Sequence, residues 1–128
     1  IKDTETIKDT RVTSILNKIK ESGKARFTGI STHAHKPEQL DAVVDMKVYD
    51  VVLMSYNFKL DNLEEINAAI ERAAKAGIGL VAMKTKAGGV EAADGQKKIN
   101  AQAGLKWVWQ NEHITTAIPG FTNYDEFD

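Results

Sequence analysis

Polar side chains follow two short apolar runs of this sequence, at the points where each run ends. They are Ser31, Thr32 and His33 after the run Ala25 to Ile30, and Lys84 and Thr85 after the run Ile78 to Met83. Hydroxyl, imidazole and amine groups can donate hydrogen bonds to a carbonyl or phosphate group. In parallel α/β proteins, binding residues lie in the loops that follow the strands. These spacings therefore predict a binding site at the carboxyl ends of parallel strands.

The elements that would position these side chains are short strands separated by amphipathic helices. The apolar runs that predict strands are Ala25 to Ile30, Tyr49 to Ser55, Ile78 to Met83 and Ile114 to Ile118. The second run is apolar almost without alternation, which is typical of a parallel strand covered on both faces.

Capping residues and apolar spacing place the helices. The first helix begins at Asp9 or Thr10 and ends at Gly23, and its apolar residues Val12, Ile15, Leu16 and Ile19 predict one buried face. The later helices are predicted around Pro37 to Val44, from Asp61 or Asn62 to Gly77, from Gln96 to Gln110, and from Asn123 onward. Gly77 is expected in the left-handed region that ends a helix.

A helix followed by strand-then-helix units predicts an α/β fold with a parallel sheet and helical crossovers. Two arrangements fit this pattern: an open doubly wound sheet of four strands, or half of a (β/α)8 barrel. Hydrophobic periodicity does not separate them. In either case residues 1–128 form a single unit, and in the half-barrel that unit is a partial domain.

Composition excludes several classes of function. The formal net charge is −1 and no basic stripe appears, so neither a nucleic acid nor a membrane surface is an expected partner. The chain has no cysteine, which excludes disulfides and thiolate metal sites. We predict a cytoplasmic protein without a metal site. The chain begins at Ile1 rather than at a methionine, which is typical of a piece of a longer protein.

Four stretches of the sequence resemble the aldo-keto reductase family. They are Gly23 to Ser31, Tyr49 to Phe58, Ala76 to Thr85, and Leu105 to Gln110 continued by Ile114 to Asn123. In that order and spacing they look like strands five to eight of the family's (β/α)8 barrel. The resemblance therefore implies a four-stranded parallel β/α half-barrel, the C-terminal half of a TIM barrel.

The resemblance also implies a function, NAD(P)H-dependent reduction of an aldehyde or ketone by the intact enzyme. In the family, the catalytic Tyr, Asp, Lys and His come from the first four strands. No residue of this chain matches those positions, so no catalytic residue is predicted and the isolated chain is expected to be inactive. This half of the barrel resembles the part that binds the cofactor, either NADP or NAD.

Residue by residue, the resemblance implies a set of cofactor contacts. Ser31, Thr32 and His33 would lie at the nicotinamide carboxamide, and Met83 would replace the aromatic ring on which the nicotinamide stacks. Lys84 and Thr85 would contact a phosphate group. The remaining implied contacts are Tyr56 at the end of the sixth strand, and Gly120, Phe121, Thr122 and Asn123 at the helix N-terminus after the eighth.

Two other functions fit the same residues. The first is a noncatalytic half-barrel that forms a homodimer, because an open arc of four strands exposes two edges and an apolar face. The second is a lyase of the class I aldolase type with Lys84 as the Schiff-base amine, which requires that amine to be desolvated.

Overall fold

The computed structural model of the chain describes residues 3–87, 100–121 and 124. The helices are α1 (Thr4–Lys8), α2 (Thr10–Glu21), α3 (Lys36–Met46), α4 (Leu63–Lys75) and α5 (Ala101–Val108). The strands are β1 (Gly29–Thr32), β2 (Val51–Ser55), β3 (Gly79–Met83) and β4 (Thr116–Ile118). No helix within these described ranges combines the length and the apolar character needed to cross a membrane.

The strands form one parallel sheet whose order, β1-β2-β3-β4, follows the chain. A doubly wound sheet reverses its strand order at a switch point, and this sheet does not. Right-handed crossovers that always step in one direction return their helices to the same side of the sheet. The fold is therefore α/β, a four-stranded parallel β/α half-barrel, which confirms the predicted fold class.

The helices cover one face of the sheet and build the core there. Val52, Met54, Leu80 and Ala82 of the covered face have no exposed surface. The apolar residues of α3 and α4 in the same core are Leu40, Ala42, Val43, Ile66, Ala69, Ile70 and Ala73. Complete burial of a Leu, Ile, Val or Met side chain contributes about 1.5–3 kcal/mol. This core therefore holds the strands in place beneath the loops of the predicted site.

Strand residues alternate between faces, so the intervening positions point away from the helices. We call the surface that they form the open face. Its residues are Gly29 and Ser31 of β1, Val51, Leu53 and Ser55 of β2, Gly79, Val81 and Met83 of β3, and Thr116 and Ile118 of β4.

Two helices precede the first strand, where the sequence pattern predicts one. The predicted cap is confirmed, because the Asp9 carboxylate accepts a hydrogen bond from the Arg11 backbone N–H at 2.8 Å. The additional helix α1 lies before it, with Ile7 completely buried. The Tyr49 hydroxyl donates to the Ile7 carbonyl at 2.9 Å. A helix of five residues is too short to show a periodic pattern, and tertiary contacts of this kind stabilise it.

The first strand begins at Gly29 rather than at the predicted Ala25. The β1–β2 register starts with Gly29 opposite Val51, and Phe27 is 66% exposed. The Thr28 carbonyl accepts from the backbone N–H groups of Asp50 and Val51, at 2.7 and 3.2 Å. Among the described residues no strand lies beside the segment before this point, so its apolar character does not make it part of the sheet.

The predicted buried face of α2 is only partly covered. Leu16 packs against the core, whereas Ile15 is 58% exposed. Thr13, which the apolar spacing does not select, is buried. The physical reason is that the described chain has no strand outside β1 for this face to cover.

The other predicted helix ends agree with the structure in part. Gly23 and Gly77 adopt φ values of 72° and 86° after α2 and α4, as expected for helix stops. Asn62 is the N-cap of α4, although its side chain makes no capping hydrogen bond. α5 is described only from Ala101, after the cap Asn100. The predicted start of this helix and the helix predicted from Asn123 lie outside the described residues.

Candidate functional site

The carboxyl ends of the strands meet at one edge of the sheet, which we call the carboxyl edge. On the open face, the strand pairing places Ser55, Met83 and Ile118 side by side in the last row. Ser31 lies one row lower, beside Leu53. The last row thus combines a hydroxyl, a thioether and a branched alkyl group. Met83 and Ile118 of this row can pack against a flat ring.

Ser31 and Thr32 lie within β1, on opposite faces, and only His33 of the predicted trio lies in the loop that follows. Ser31 is exposed on the open face, and His33 is exposed in the loop. Thr32 is completely buried on the covered face, and its hydroxyl donates to the Ala34 carbonyl at 3.1 Å. The His33 carbonyl accepts hydrogen bonds from Lys36 Nζ at 3.0 Å and from Ser55 Oγ at 3.3 Å. Ser31 and His33 can therefore contact a ligand at the carboxyl edge, whereas Thr32 stabilises the loop.

Lys36 is a buried amine at this edge that the sequence analysis did not select. It is 7% exposed, and no ion pair within the described ranges includes it. Burial lowers the pKa of its ammonium group. The side chain lines a cleft of about 300 Å³ between the N-termini of α3 and α4. A lysine in the first turn of a helix is usually a surface residue, so the local sequence gives no sign that Lys36 is buried.

Tyr56, also predicted to bind the cofactor, is directed toward the helices. Its hydroxyl donates to Asn67 Oδ1 at 2.7 Å and accepts from Asn111 Nδ2 at 3.1 Å. Its ring lies 5.0 Å from that of Trp107, measured between centroids. Burial raises the pKa of this phenol, and the two amide hydrogen bonds act in the opposite direction. The structure therefore does not bring Tyr56 together with Ser31 and Met83 on the open face.

Asn57 links the ends of β2 and β3. Its Nδ2 donates to the Lys84 carbonyl at 3.0 Å, and its Oδ1 accepts from the Lys59 N–H at 3.1 Å. Lys84 has a φ of 57°, in the left-handed region that non-glycine residues seldom occupy. Asn57 is 6% exposed, whereas the Lys84 side chain is exposed. The buried amide thus holds a strained backbone position that presents an amine to solvent.

The hydroxyl of Thr85 has no hydrogen-bond partner within the described residues. Thr85 is 1% exposed, and its Oγ1 is buried. A buried hydroxyl without a partner costs about 1–3 kcal/mol. Gly104 of α5 lies close by, because a Cβ added there would be 3.1 Å from the Thr85 carbonyl oxygen. The predicted cofactor contact Thr85 is therefore enclosed beside α5, and its hydroxyl has no exposed surface from which to reach a ligand.

The segment after β4 approaches the loop after β3. Lys86 Nζ lies 5.3 Å from the centroid of the Phe121 ring, within cation–π distance. Gly120 is exposed, and a Cβ there would meet nothing within 4 Å. The remaining predicted contacts in this segment, Thr122 and Asn123, lie outside the described residues. Lys86 is a second residue that the sequence analysis did not select, because its contact is made across two loops.

Within the described ranges, no group of three or more histidine or acidic side chains is arranged to hold a metal ion. Comparisons with protein-family models, with curated protein sequences and with solved structures each found no match for this chain. A function must therefore be proposed from the residues at the carboxyl edge.

Proposed function

We propose that this chain is the cofactor-binding half of an NAD(P)H-dependent reductase of the aldo-keto type, which acts on an aldehyde or a ketone. The observation that carries the proposal is the position of Ser31, Met83 and Lys84. The resemblance to aldo-keto reductases selects these residues, and they lie at one edge of sequentially ordered parallel strands. Bound NAD(P)H supplies a hydride to the carbonyl carbon, and the protein supplies orientation.

The last row of the open face supports a place for the nicotinamide ring. Met83 and Ile118 offer adjacent apolar surface, with Ile118 58% exposed. A thioether packs favourably against a ring, and Ser31 carries a hydroxyl that can bond to a carboxamide one row below. These residues would fix one face of the ring and leave the other face free for a carbonyl substrate.

The loops after β3 and β4 fit the anionic part of a dinucleotide. Lys84 is exposed and presents an ammonium group. An ammonium group can donate charge-assisted hydrogen bonds to phosphate oxygens. The Lys86–Phe121 contact holds the segment after β4 close to this loop. The residues present therefore fit a pyrophosphate group, and they carry no feature that selects NADP over NAD.

The alternative of a Schiff-base lyase is less well supported. A lysine nucleophile must be desolvated to be neutral near physiological pH. Lys84 is exposed, so it does not meet the condition that the lyase hypothesis sets. This observation favours a role for Lys84 as a phosphate-binding cation.

The proposal is tested by titrating the purified chain with NADH and with NADPH at low salt, using calorimetry and the fluorescence of the reduced cofactor. We expect saturable binding of at least one cofactor. Ser31→Ala and Lys84→Ala should each weaken binding by about 1–2 kcal/mol, or roughly 5–30-fold in Kd, because each removes one hydrogen bond to the ligand.

Lys75→Ala is the matched control, since Lys75 is an exposed lysine on α4 that pairs only with Glu71 among the described contacts. Its affinity for either cofactor should equal that of the wild type. Unchanged affinity in both the Ser31 and Lys84 variants would show that the assigned site is wrong. No binding at millimolar cofactor would contradict the proposed function itself.

A further inference from the structure

The open face carries no charged side chain. Its residues are glycine, serine, threonine, valine, leucine, methionine and isoleucine. Leu53, Val81 and Met83 lie at its centre and are only partly buried. The largest apolar patch on a soluble monomer, typically about 300–600 Å², is often a functional surface. The face therefore has the composition of an interface.

The sheet is open at both sides within the described residues. β1 pairs only with β2, and β4 pairs only with β3. Each outer edge presents backbone N–H and C=O groups that are ready to pair with another strand. All the strands run in the same direction, so a parallel strand added at either edge would continue the sheet. Half of an eight-stranded barrel, separated from the other half at two strand–strand pairings, would have this geometry.

α2 indicates where one additional strand belongs. It immediately precedes β1, and its apolar face is incompletely covered, with Ile15 58% exposed while Leu16 packs against the core. A right-handed crossover helix covers the groove between the strand before it and the strand after it. α2 is therefore placed to cover a strand that lies outside β1.

We infer that a second copy of this chain covers the open face, with β4 of each copy paired in parallel with β1 of the other. A two-fold axis along the strands relates the copies and closes an eight-stranded barrel from two four-stranded sheets. The α2 helix of each copy then covers the new seam. The two carboxyl edges lie at the same end of the barrel and face one another. This inference does not depend on cofactor binding.

A second copy suits the face because an uncharged surface can meet itself without repulsion between like charges. Under this symmetry, equivalent rows meet across the axis. Val51 from each copy occupies the space beside Gly29 and Gly79, its neighbours in the strand pairing. The bulkier Met83 and Ile118 of both copies surround the mouth at the carboxyl end of the barrel.

The open face alone is smaller than the surface that each partner buries in a stable interface. Strands about 4.8 Å apart that rise about 3.3 Å per residue and are three to five residues long give the four-stranded face a projected area of roughly 270 Å². A stable interface buries about 800 Å² on each partner. The exposed face of α2 and the two strand edges supply further area, which explains why Ile15 is apolar although it is exposed.

The test is the mass of the chain in solution, measured by light scattering and sedimentation over a wide range of concentration. We expect a single species of twice the monomer mass that dissociates only on strong dilution. Leu53→Arg places a charge at the centre of the interface without entering the core, so it should give a folded monomer. Trp109→Arg is the matched control. It changes a 60% exposed residue after α5, away from the open face, and should leave the dimer intact.

Hydrogen exchange provides a second readout that does not depend on a variant. On dilution to the monomer, amides of Gly29–Thr32 and Thr116–Ile118 should lose protection together, because each dimer seam contains one of each strand. A chain that stays monomeric at high concentration would overturn the inference, as would a dimeric Leu53→Arg variant. A broad distribution of larger species would also overturn it, since the proposed symmetry closes with two copies.

Discussion

Asn57 shows how one buried side chain sets the geometry of the carboxyl edge. Its amide nitrogen holds the Lys84 carbonyl, and its amide oxygen receives the Lys59 N–H. Lys84 can remain in a left-handed conformation because the neighbouring strand end stabilises it. The exposed amine that is proposed to bind phosphate therefore depends on a residue that does not itself contact the ligand.

Replacing Asn57 separates its two bonds. Asn57→Ala removes both and should lower the free energy of unfolding by about 1–3 kcal/mol. Asn57→Asp keeps the acceptor for Lys59 but loses the donor to Lys84, so it should destabilise the chain and also weaken NAD(P)H binding. Urea denaturation and cofactor titration measure the two effects. A fully stable Asn57→Asp variant would show that only the bond to Lys59 matters.

Gly29 is required by a close backbone approach at the start of β1. A Cβ added there would lie 2.4 Å from the Val51 carbonyl oxygen, which real side chains do not tolerate. Gly29→Ala must therefore shift β1 away from β2, and we expect a loss of about 1–3 kcal/mol in the free energy of unfolding.

Gly79 provides the matched control on the other side of the same Val51 residue. A Cβ at Gly79 would meet its neighbours at 3.6 Å, an ordinary contact distance. Gly79→Ala should therefore change stability much less. Equal stability of the Gly29 and Gly79 variants in urea denaturation would contradict the close approach.

At the level of elements, one carboxylate joins α2 to the start of the sheet. Asp50 accepts two hydrogen bonds from Lys20 Nζ at 2.9 and 2.8 Å, and one from the Thr28 N–H at 2.7 Å. Burial by itself raises the pKa of Asp50, but these hydrogen bonds outweigh it and hold the pKa below the ordinary value of 3.8. The helix thus stays attached to the sheet although much of its apolar face is uncovered.

The pH dependence of this link has a definite sign. Because the pKa of Asp50 is lower in the folded than in the unfolded state, its stabilisation is present above the ordinary carboxyl pKa and is lost as the pH falls through the folded value. Asp50→Asn should cost about 1–2 kcal/mol at neutral pH. Its free energy of unfolding should fall less than that of the wild type on acidification below about pH 4.

Asp45→Asn is the control for this measurement, because Asp45 is exposed on α3 and none of the ion pairs of the described residues includes it. Its pH profile should follow that of the wild type closely. If the free energies of unfolding of Asp50→Asn and the wild type fell in parallel on acidification, Asp50 would not be the residue that links α2 to the sheet.

For the whole molecule, the arrangement of strands accounts for both proposals. Sequential parallel strands bring the polar strand ends to one edge, where a cofactor is proposed to bind. The same arrangement leaves the opposite face of the sheet without helices and both outer strands unpaired within the described residues. Cofactor binding and closure by a second copy are separate properties, and dilution of the wild-type chain to the monomer allows cofactor binding to be measured without closure.

The sequence by itself determined the local features of this protein. Asp9, Gly23 and Gly77 mark helix ends because their effect comes from their own side chain or backbone freedom. The apolar runs identified the β-strands, since burial of a strand is visible in consecutive residues. These same runs correctly placed Lys84 directly after a strand, whereas Ser31, predicted to follow the first strand, lies inside β1.

Only the tertiary structure decided the features that depend on distant neighbours. The order of the strands excluded a doubly wound sheet, which hydrophobic periodicity could not distinguish from a half-barrel. Tyr56 turns toward Asn67 and Asn111, and Lys36 is buried, because of residues far along the chain. A residue type reports which bonds a side chain can make, whereas the packing of the elements determines which partners are within reach.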